Sequence, residues 1–391
     1  MSTSAIATGH IRLILAHTSD DFYLDIPISV VNHNCVRPIK YLRFLGWCII
    51  GILGTVRRHR KGADIGDDGS LLEQRAYFYV YAAVDKDASL KYAVDPEVIK
   101  PRSNVSSSNS STRASSFKAS LVDRDASCIF TDAPPLFCEG THIIPFHKSD
   151  EWFDLIVKNR PASGEDVSTL TRVNDQRNGM LLGLEPHIVV ESRQVVVVKT
   201  PNLVLDVNDI PPRCERNLRE GIKYPDHARY TLQWLHGDEE AEGRIPNNSD
   251  ATFRKHTHIL KPSPLLLHYN YGAAAVKWWG HGKAHLGILN RPAIPRPSVA
   301  VPSATGPIRT KRTADHLQAA SQGREARAAG RSAGSGVEPD DREAPAKEEA
   351  MDPDEIVMLF WANTPAAHER RKRKAEDQRG WMEQWRGGVV V

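Results

Sequence analysis

The chain has 391 residues, of which 40% are hydrophobic and 25% charged, and its formal net charge is +3 at pH 7. Because this balance gives no global basic field, any contact with nucleic acid has to come from local basic patches. Its five cysteines contain no C-x-x-C pair, which argues against a zinc ribbon and against a secreted disulfide scaffold. The length predicts roughly two or three domains.

The N-terminal part of the chain is predicted to be a β-rich domain over residues 8–97. Runs rich in Val, Ile, Tyr and Phe predict strands at 11–16, 22–31, 41–50 and 76–83. The most apolar stretch, 44–56, is shorter than the roughly 20 residues that a membrane helix needs, and we interpret it as a buried strand pair. The sequence does not open with the pattern of a secretory signal, so an intracellular protein is expected.

A Ser-rich linker is predicted at 98–116, because PRSNVSSSNSSTRASS offers almost no large apolar side chain for burial. After it, Phe117, Leu121 and Val122 recur at near-helical spacing and predict a short helix that docks on the next element. A second helix is predicted at 149–161, with acidic residues near its start, basic residues near its end and a proline to stop it.

Between 128 and 191 the chain gathers histidine, asparagine and acidic side chains. Two short apolar runs, 128–130 and 141–144, flank a proline-rich turn, and this pattern predicts a β-hairpin with His142 on its second strand. Asn178 then opens a short apolar segment, and His187 follows it. A strand is predicted at 195–198.

This order resembles the HNH nucleases of the ββα-metal class, and in particular their fungal branch. The resemblance rests on CIFTDAPP, CEGTHIIPF, EWFDLIVKNRP, NDQRNGMLL, PHIVVE and VKTPN, and more widely on YTLQWL, IPNNSDATFRKH and PLLLHYNYG. It covers most of residues 115–285. The resemblance implies an α+β protein whose ββα-metal (HNH) core lies within 117–212, and a divalent-metal-dependent endonuclease acting on DNA.

The resemblance also implies a role for each matching residue. His142 is the general base, Asn178 helps to hold the site together, and His187 ligates the metal ion. A neutral histidine suits proton abstraction from water, and a divalent cation stabilises charge on the phosphate and the leaving oxygen. The cofactor is therefore expected to be Mg²⁺, Mn²⁺ or Zn²⁺.

This chain departs from the family pattern at two places. Thr141 stands where the family has an acid or a histidine; because side chains two apart share a strand face, Glu139 is one candidate for the second metal ligand. Glu191 is the other, since H-I-V-V-E replaces the family's H-x-x-F-D. These departures motivate a rival hypothesis, a degenerate HNH-fold module that binds DNA or a protein without turnover. Structural interpretations also stay open: His142 as a core residue, Glu139 as a solvated hairpin residue and Asn178 as a turn residue.

Residues 213–288 are predicted to be an α/β extension packing on the HNH core. Arg254 and Lys255 form a basic group there that either contacts phosphate or is a solvated face. The composition of 289–352, rich in Pro, Ala, Gly and Ser, predicts disorder.

The last predicted element, 353–386, is a helical segment that carries a run of five basic residues: Arg370, Arg371, Lys372, Arg373 and Lys374. This run is interpreted as a nuclear-localisation patch, as a face that contacts DNA phosphates, or as a solvated helix face. The first two would let a nearly neutral protein enter the nucleus or bind DNA.

Overall fold

The computed structural model describes residues 5–15, 22–71, 75–82, 91–99, 111–161, 164–237, 239–282 and 286. The chain divides into two compact units, 1–300 and 301–391, and every described residue lies in the first. The predicted disorder at 289–352, the C-terminal helical segment and the basic run at 370–374 lie outside the described residues. Within the described ranges, no helix is long and apolar enough to cross a membrane.

The N-terminal part contains a five-stranded sheet. Its strands are β1 (His10–Ile14), β2 (Tyr23–Pro27), β3 (Gly54–Arg57), β4 (Ala76–Tyr81) and β11 (Gly280–His281), in the order β11-β2-β1-β4-β3. β1 runs parallel to β4, and the other neighbours are antiparallel. The strands predicted at 11–16 and 76–83 are thus confirmed in position, and β11 comes from the segment predicted as a separate extension.

The strand predicted at 41–50 and the strand pair predicted at 44–56 are wrong. Residues Pro38–Ile50 form helix α2, which begins with a proline in its first turn and ends at Gly51 with φ +83°. Eleven of its 13 residues are buried, and a largely apolar run of this kind does not distinguish a buried helix from buried strands. The predicted strand 22–31 is also only partly right, because helix α1 (Ile28–Asn34) follows β2 directly.

The candidate site lies among five elements: α3 (Ser111–Asp125), β5 (Cys138–His142), α4 (Ser149–Asn159), β6 (Gly179–Gly183) and α5 (Leu184–Glu191). β5 pairs antiparallel with β6, in a register that sets His142 opposite Gly179. The predicted helices at 117–122 and 149–161 are confirmed by α3 and α4. α3 begins at Ser111, inside the predicted linker.

The hairpin partner predicted for the strand of His142 is wrong. Residues 128–131 form a turn, in which the carbonyl of Cys128 accepts from the amide of Asp132 at 2.9 Å. The strand partner is β6, and the chain between the two strands includes α4. An apolar run of three residues looks the same in a buried turn and in a strand, so the pattern could not distinguish them.

The remaining elements come from the second half of the unit: β7 (Val195–Thr200), β8 (Ile222–Lys223), β9 (Arg229–Trp234), α6 (Glu239–Arg244), β10 (Phe253–Arg254) and α7 (Pro264–Trp279). β7, which confirms the predicted strand at 195–198, pairs with β9, and α7 packs against both β7 and α2. The Ser263 side chain caps α7 by accepting from the amide of Leu266. The extension therefore packs on the N-terminal part as well as on the candidate nuclease segment.

A buried polar network joins these two parts of the unit. The hydroxyls of Tyr41 and Tyr271 are 2.7 Å apart, and Tyr271 donates to the side chain of Gln233 at 2.8 Å. Gln233 in turn donates to the backbone carbonyl of Asn34 at 2.6 Å. Because buried polar groups are costly when they lose a partner, this network specifies how α1 and α2 sit against β9 and α7.

Candidate active site

His142 is the last residue of β5, and its ring lies against α3. The ring stacks on Phe117 with centroids 4.0 Å apart and planes 8° apart. Its Nε2 atom is 2.9 Å from Oδ1 of Asn174. Because an amide oxygen only accepts hydrogen bonds, Nε2 carries the proton and the lone pair of the neutral ring is on Nδ1.

The surroundings of His142 favour its neutral form. Burial lowers the pKa of His142 below 6.5, while the hydrogen bond to Asn174 and the negative charge of Glu191 act in the opposite direction. Burial penalises the charged imidazolium. Its effect on the pKa outweighs the opposing effects of Asn174 and Glu191. The ring is therefore a free base at neutral pH, as proton abstraction requires.

Asn178 is fully buried and acts as a clamp on the backbone. Its Oδ1 accepts from the amide of Ile144 at 2.8 Å, and its Nδ2 donates to the carbonyls of Ile144 at 3.0 Å and Val173 at 2.7 Å. These bonds hold the chain that leaves β5 against the chain that enters β6. Asn178 therefore fixes the backbone beside His142 and Asn174.

An ion pair that the sequence did not single out supports the same strands. Arg124 and Asp125 end α3 with both side chains at 0% exposure, and Arg124 donates to Asp125 through Nε at 2.6 Å and Nη2 at 2.9 Å. Arg124 also donates to the carbonyls of Gln176 and Gly179, and Asp125 accepts from the amide of Leu181. In the sequence, this pair could have been recognised as two adjacent, oppositely charged residues at the end of a partly apolar helix.

His187 and Glu191 lie one turn apart on α5. The His187 Nε2 and Glu191 Oε1 atoms are 3.5 Å apart, and the Glu191 side chain is 66% exposed. His187 is the largest cause that lowers the pKa of Glu191, and the charges of Arg193 and His142 lower it further. Because Glu191 and His142 act on each other's pKa, the end of α5 lies within electrostatic reach of the candidate base.

The structure does not bring Glu139 to this pair. Glu139 is three residues from His142 on β5, so the two side chains leave opposite faces of the strand. Its carboxylate lies 3.6 Å from the Lys118 ammonium. Across the described ranges, no group of three or more His, Cys, Asp or Glu side chains is arranged to hold a metal ion.

Thr141 occupies the position at which the HNH nucleases that the sequence resembles have an acid or a histidine. Its side chain is buried, and its hydroxyl finds no hydrogen-bond partner within the part of the chain that the structure describes. Of the residues that the sequence proposed as metal ligands, the two that lie in contact are His187 and Glu191.

Arg254 and Lys255 lie apart from these residues, at the rim of a surface cleft of about 390 Å³. Arg254 nevertheless reaches α3, because its Nη2 donates to the carbonyl of Val122 at 3.3 Å. The basic group that the sequence indicated is thus exposed and connected to the helix that carries Phe117.

Comparison of the chain with protein-family models, with curated proteins and with solved structures found no match in any of the three. Function is therefore inferred from the arrangement of the side chains. His142 and Asn178 are held together at the β5–β6 pair, and His187 and Glu191 lie together on α5. The mixed helices and sheets establish the α+β class.

Proposed function

We propose that the chain is a divalent-metal-dependent endonuclease that hydrolyses DNA phosphodiester bonds, with β5, β6 and α5 as an HNH-type ββα-metal core. One observation carries the proposal. A histidine whose neutral form is favoured by burial is oriented by Asn174, and it is electrostatically coupled to Glu191, which pairs with His187 on the helix that follows β6.

In this proposal, His142 activates the attacking water. Nδ1 takes a proton from the water as the water oxygen bonds to phosphorus, and the bond between phosphorus and the leaving sugar oxygen breaks. The leaving oxygen takes up a proton, so a phosphodiester and water become a phosphomonoester and an alcohol. Phe117 and Asn174 keep the imidazole plane and tautomer fixed during this transfer.

The donor set of α5 fits a cation that keeps much of its water. Mg²⁺ is commonly held by one or two protein carboxylates together with substrate phosphates and water, whereas catalytic zinc takes three protein ligands. His187 and Glu191 offer one nitrogen and one carboxylate, which suits Mg²⁺ or Mn²⁺ better than zinc. A cation held there would stabilise the negative charge on the phosphate and leaving oxygen.

The second candidate is a DNA-binding or protein-binding module that has the same fold without turnover. It is favoured by the two-donor set on α5 and by the buried hydroxyl of Thr141 in place of an acid. Both candidates share the β5–β6 pair and the Asn178 clamp. They differ in whether the His187–Glu191 pair can recruit a cation.

Nicking of supercoiled plasmid by the full-length protein tests the proposal. Mg²⁺, Mn²⁺ and Zn²⁺ are added in turn, beside a sample with EDTA. We expect nicking that EDTA abolishes, and a loss of about 10²–10⁴-fold in His142→Ala, which is the usual contribution of a general base. His59→Ala, an exposed histidine after β3, is the matched control and is expected to nick like the wild type.

Two results would contradict the proposal. Folded wild-type protein that nicks with none of the three metals would favour the module without turnover. Nicking by His142→Ala at the wild-type rate would remove His142 as the base, whatever the metal dependence.

A further inference from the structure

The cleft beside Arg254 is built from two chain segments and one lysine. β8 and β10 pair antiparallel and set Phe253 opposite Lys223, and the amide of Lys255 donates to the carbonyl of Gly221 at 2.9 Å. The stretch from Lys223 to Tyr230 and the side chain of Lys261 complete the lining. This backbone pairing fixes the positions of the surrounding cations.

The lining of the cleft has a marked excess of positive charge. Lys223, Arg254, Lys255 and Lys261 contribute four cations, and Asp226, the one carboxylate among the lining residues, is bound to the ammonium of Lys223. Counting the lysine, arginine and aspartate side chains, the excess is therefore three positive charges. The pKa of Asp226 is lowered first by its hydrogen bond to Lys223 and further by the positive charge of Lys261.

The aromatic rings that line the cleft are buried, so they are not exposed for stacking on bases. Phe253 is 2% exposed and Tyr230 is 6% exposed. The ammonium of Lys261 lies 5.8 Å from the centre of the Phe253 ring. Because binding of unpaired bases relies on exposed aromatic rings, this cleft is suited to backbone charge and not to bases.

Helix α3 connects the cleft to His142. Phe117 stacks on His142, and five residues later the carbonyl of Val122 accepts from Arg254. Five residues of α-helix rise about 7.5 Å. The two contacts are therefore less than two helical turns apart along α3.

We propose that the cleft is a sequence-independent binding site for the sugar-phosphate backbone of duplex DNA, in which Lys223, Arg254, Lys255 and Lys261 contact phosphates next to the bond presented to His142. The inference rests on the proposed function for its choice of DNA as the polyanion. It adds that the substrate is held by charge, and that cleavage has weak sequence preference.

Fluorescence anisotropy with a labelled duplex oligonucleotide, measured in EDTA so that no cleavage occurs, tests the site in the full-length protein. The variant is Lys255→Ala with Lys261→Ala, both exposed in the cleft. The matched control is Arg58→Ala with Lys61→Ala, both exposed after β3. Circular dichroism confirms that all proteins are folded.

We expect the cleft variant to bind at least about tenfold more weakly at roughly 0.1 M salt, and the slope of log affinity against log salt to become shallower by about 1.8, because two phosphate contacts are lost. The control is expected to bind like the wild type. Unchanged affinity and slope in the cleft variant, or equal losses in both double variants, would overturn the inference. A larger loss for single-stranded than for duplex DNA would also overturn it.

Plasmid nicking by the same proteins separates this inference from the proposed function. A wild type that binds duplex through the cleft but never nicks would support the site and contradict the nuclease. If the wild type nicks with metal and the cleft variant binds duplex DNA as tightly as the wild type, the nuclease is supported and the cleft site is contradicted.

Discussion

The protonation of His142 is set by its immediate neighbours. Burial against Phe117 lowers the pKa of the imidazole, and Asn174 holds the proton on Nε2. A base with a pKa below 6.5 is ready at neutral pH, whereas an exposed histidine would be partly protonated.

This gives a prediction for the dependence of nicking on pH. The base must be neutral, so the rate falls as the pH falls through the pKa of His142, and we expect the midpoint of this acidic limb below 6.5. Phe117→Ala exposes the ring to water and is expected to shift the midpoint upwards, towards 6.5. Single-turnover nicking rates between pH 4.5 and 8 measure both midpoints. A wild-type midpoint above 6.5 would contradict this account of His142.

The sequence singled out candidate site residues but not the residues that contact them. His142, Asn178 and His187 were identified by their order in the chain, and the structure holds His142 and Asn178 at one strand pair. Asn174 and Phe117 could not be assigned roles, because both act through contacts that depend on the register of β5 and β6 and on the docking of α3.

At the scale of elements, α2 and α7 pack closely enough to require a glycine. A Cβ on Gly272 of α7 would lie 2.3 Å from the backbone carbonyl oxygen of Cys48 in α2, and backbone cannot rotate away as a side chain can. The sequence did not predict this contact, since the apolar run of α2 was interpreted as strands.

We expect Gly272→Ala to lower the free energy of unfolding by about 1–3 kcal/mol, the usual cost of overpacking. Gly243→Ala in α6 is the matched control, because its Cβ meets nothing within 4 Å. It is expected to be neutral or stabilising, as alanine favours helix by up to about 1 kcal/mol. Urea denaturation measures both, and equal stability of the two variants would contradict the close approach.

The Arg124–Asp125 pair gives a second prediction at this scale. Arg124→Met leaves a buried carboxylate without its cation, and we expect it to cost about 3–5 kcal/mol of unfolding free energy. The double variant Arg124→Met with Asp125→Asn removes both charges and is expected to be more stable than the single variant. A single variant within about 1 kcal/mol of the wild type in urea would show that the pair is not buried as described.

For the whole described unit, the segments predicted as separate domains share their core. β11 joins the N-terminal sheet. The backbone amide of Thr252 donates to the carbonyl of Ile129, and the backbone amide of Ser263 donates to the carbonyl of Arg177. The sequence could not show these contacts, because each joins residues that are far apart in the chain.

We therefore expect residues 1–300 to unfold in one cooperative transition, and the isolated segment 117–212 not to fold, since its turn at Ile129 and its loop at Arg177 lose their backbone partners. Calorimetry of the 1–300 fragment and the dispersion of amide signals of the 117–212 fragment measure this. Two separate transitions, or a folded 117–212 segment, would favour independent domains.

In the proposed nuclease, His142 takes the proton from water in a metal-dependent cleavage of DNA. The most direct test is chemical rescue of His142→Gly by free imidazole, using plasmid nicking with Mn²⁺. We predict that the variant is inactive alone, and that its rate rises with imidazole concentration and with pH as imidazole loses its proton. Nicking by the variant at the wild-type rate without imidazole, or a folded wild type that never nicks, would contradict it.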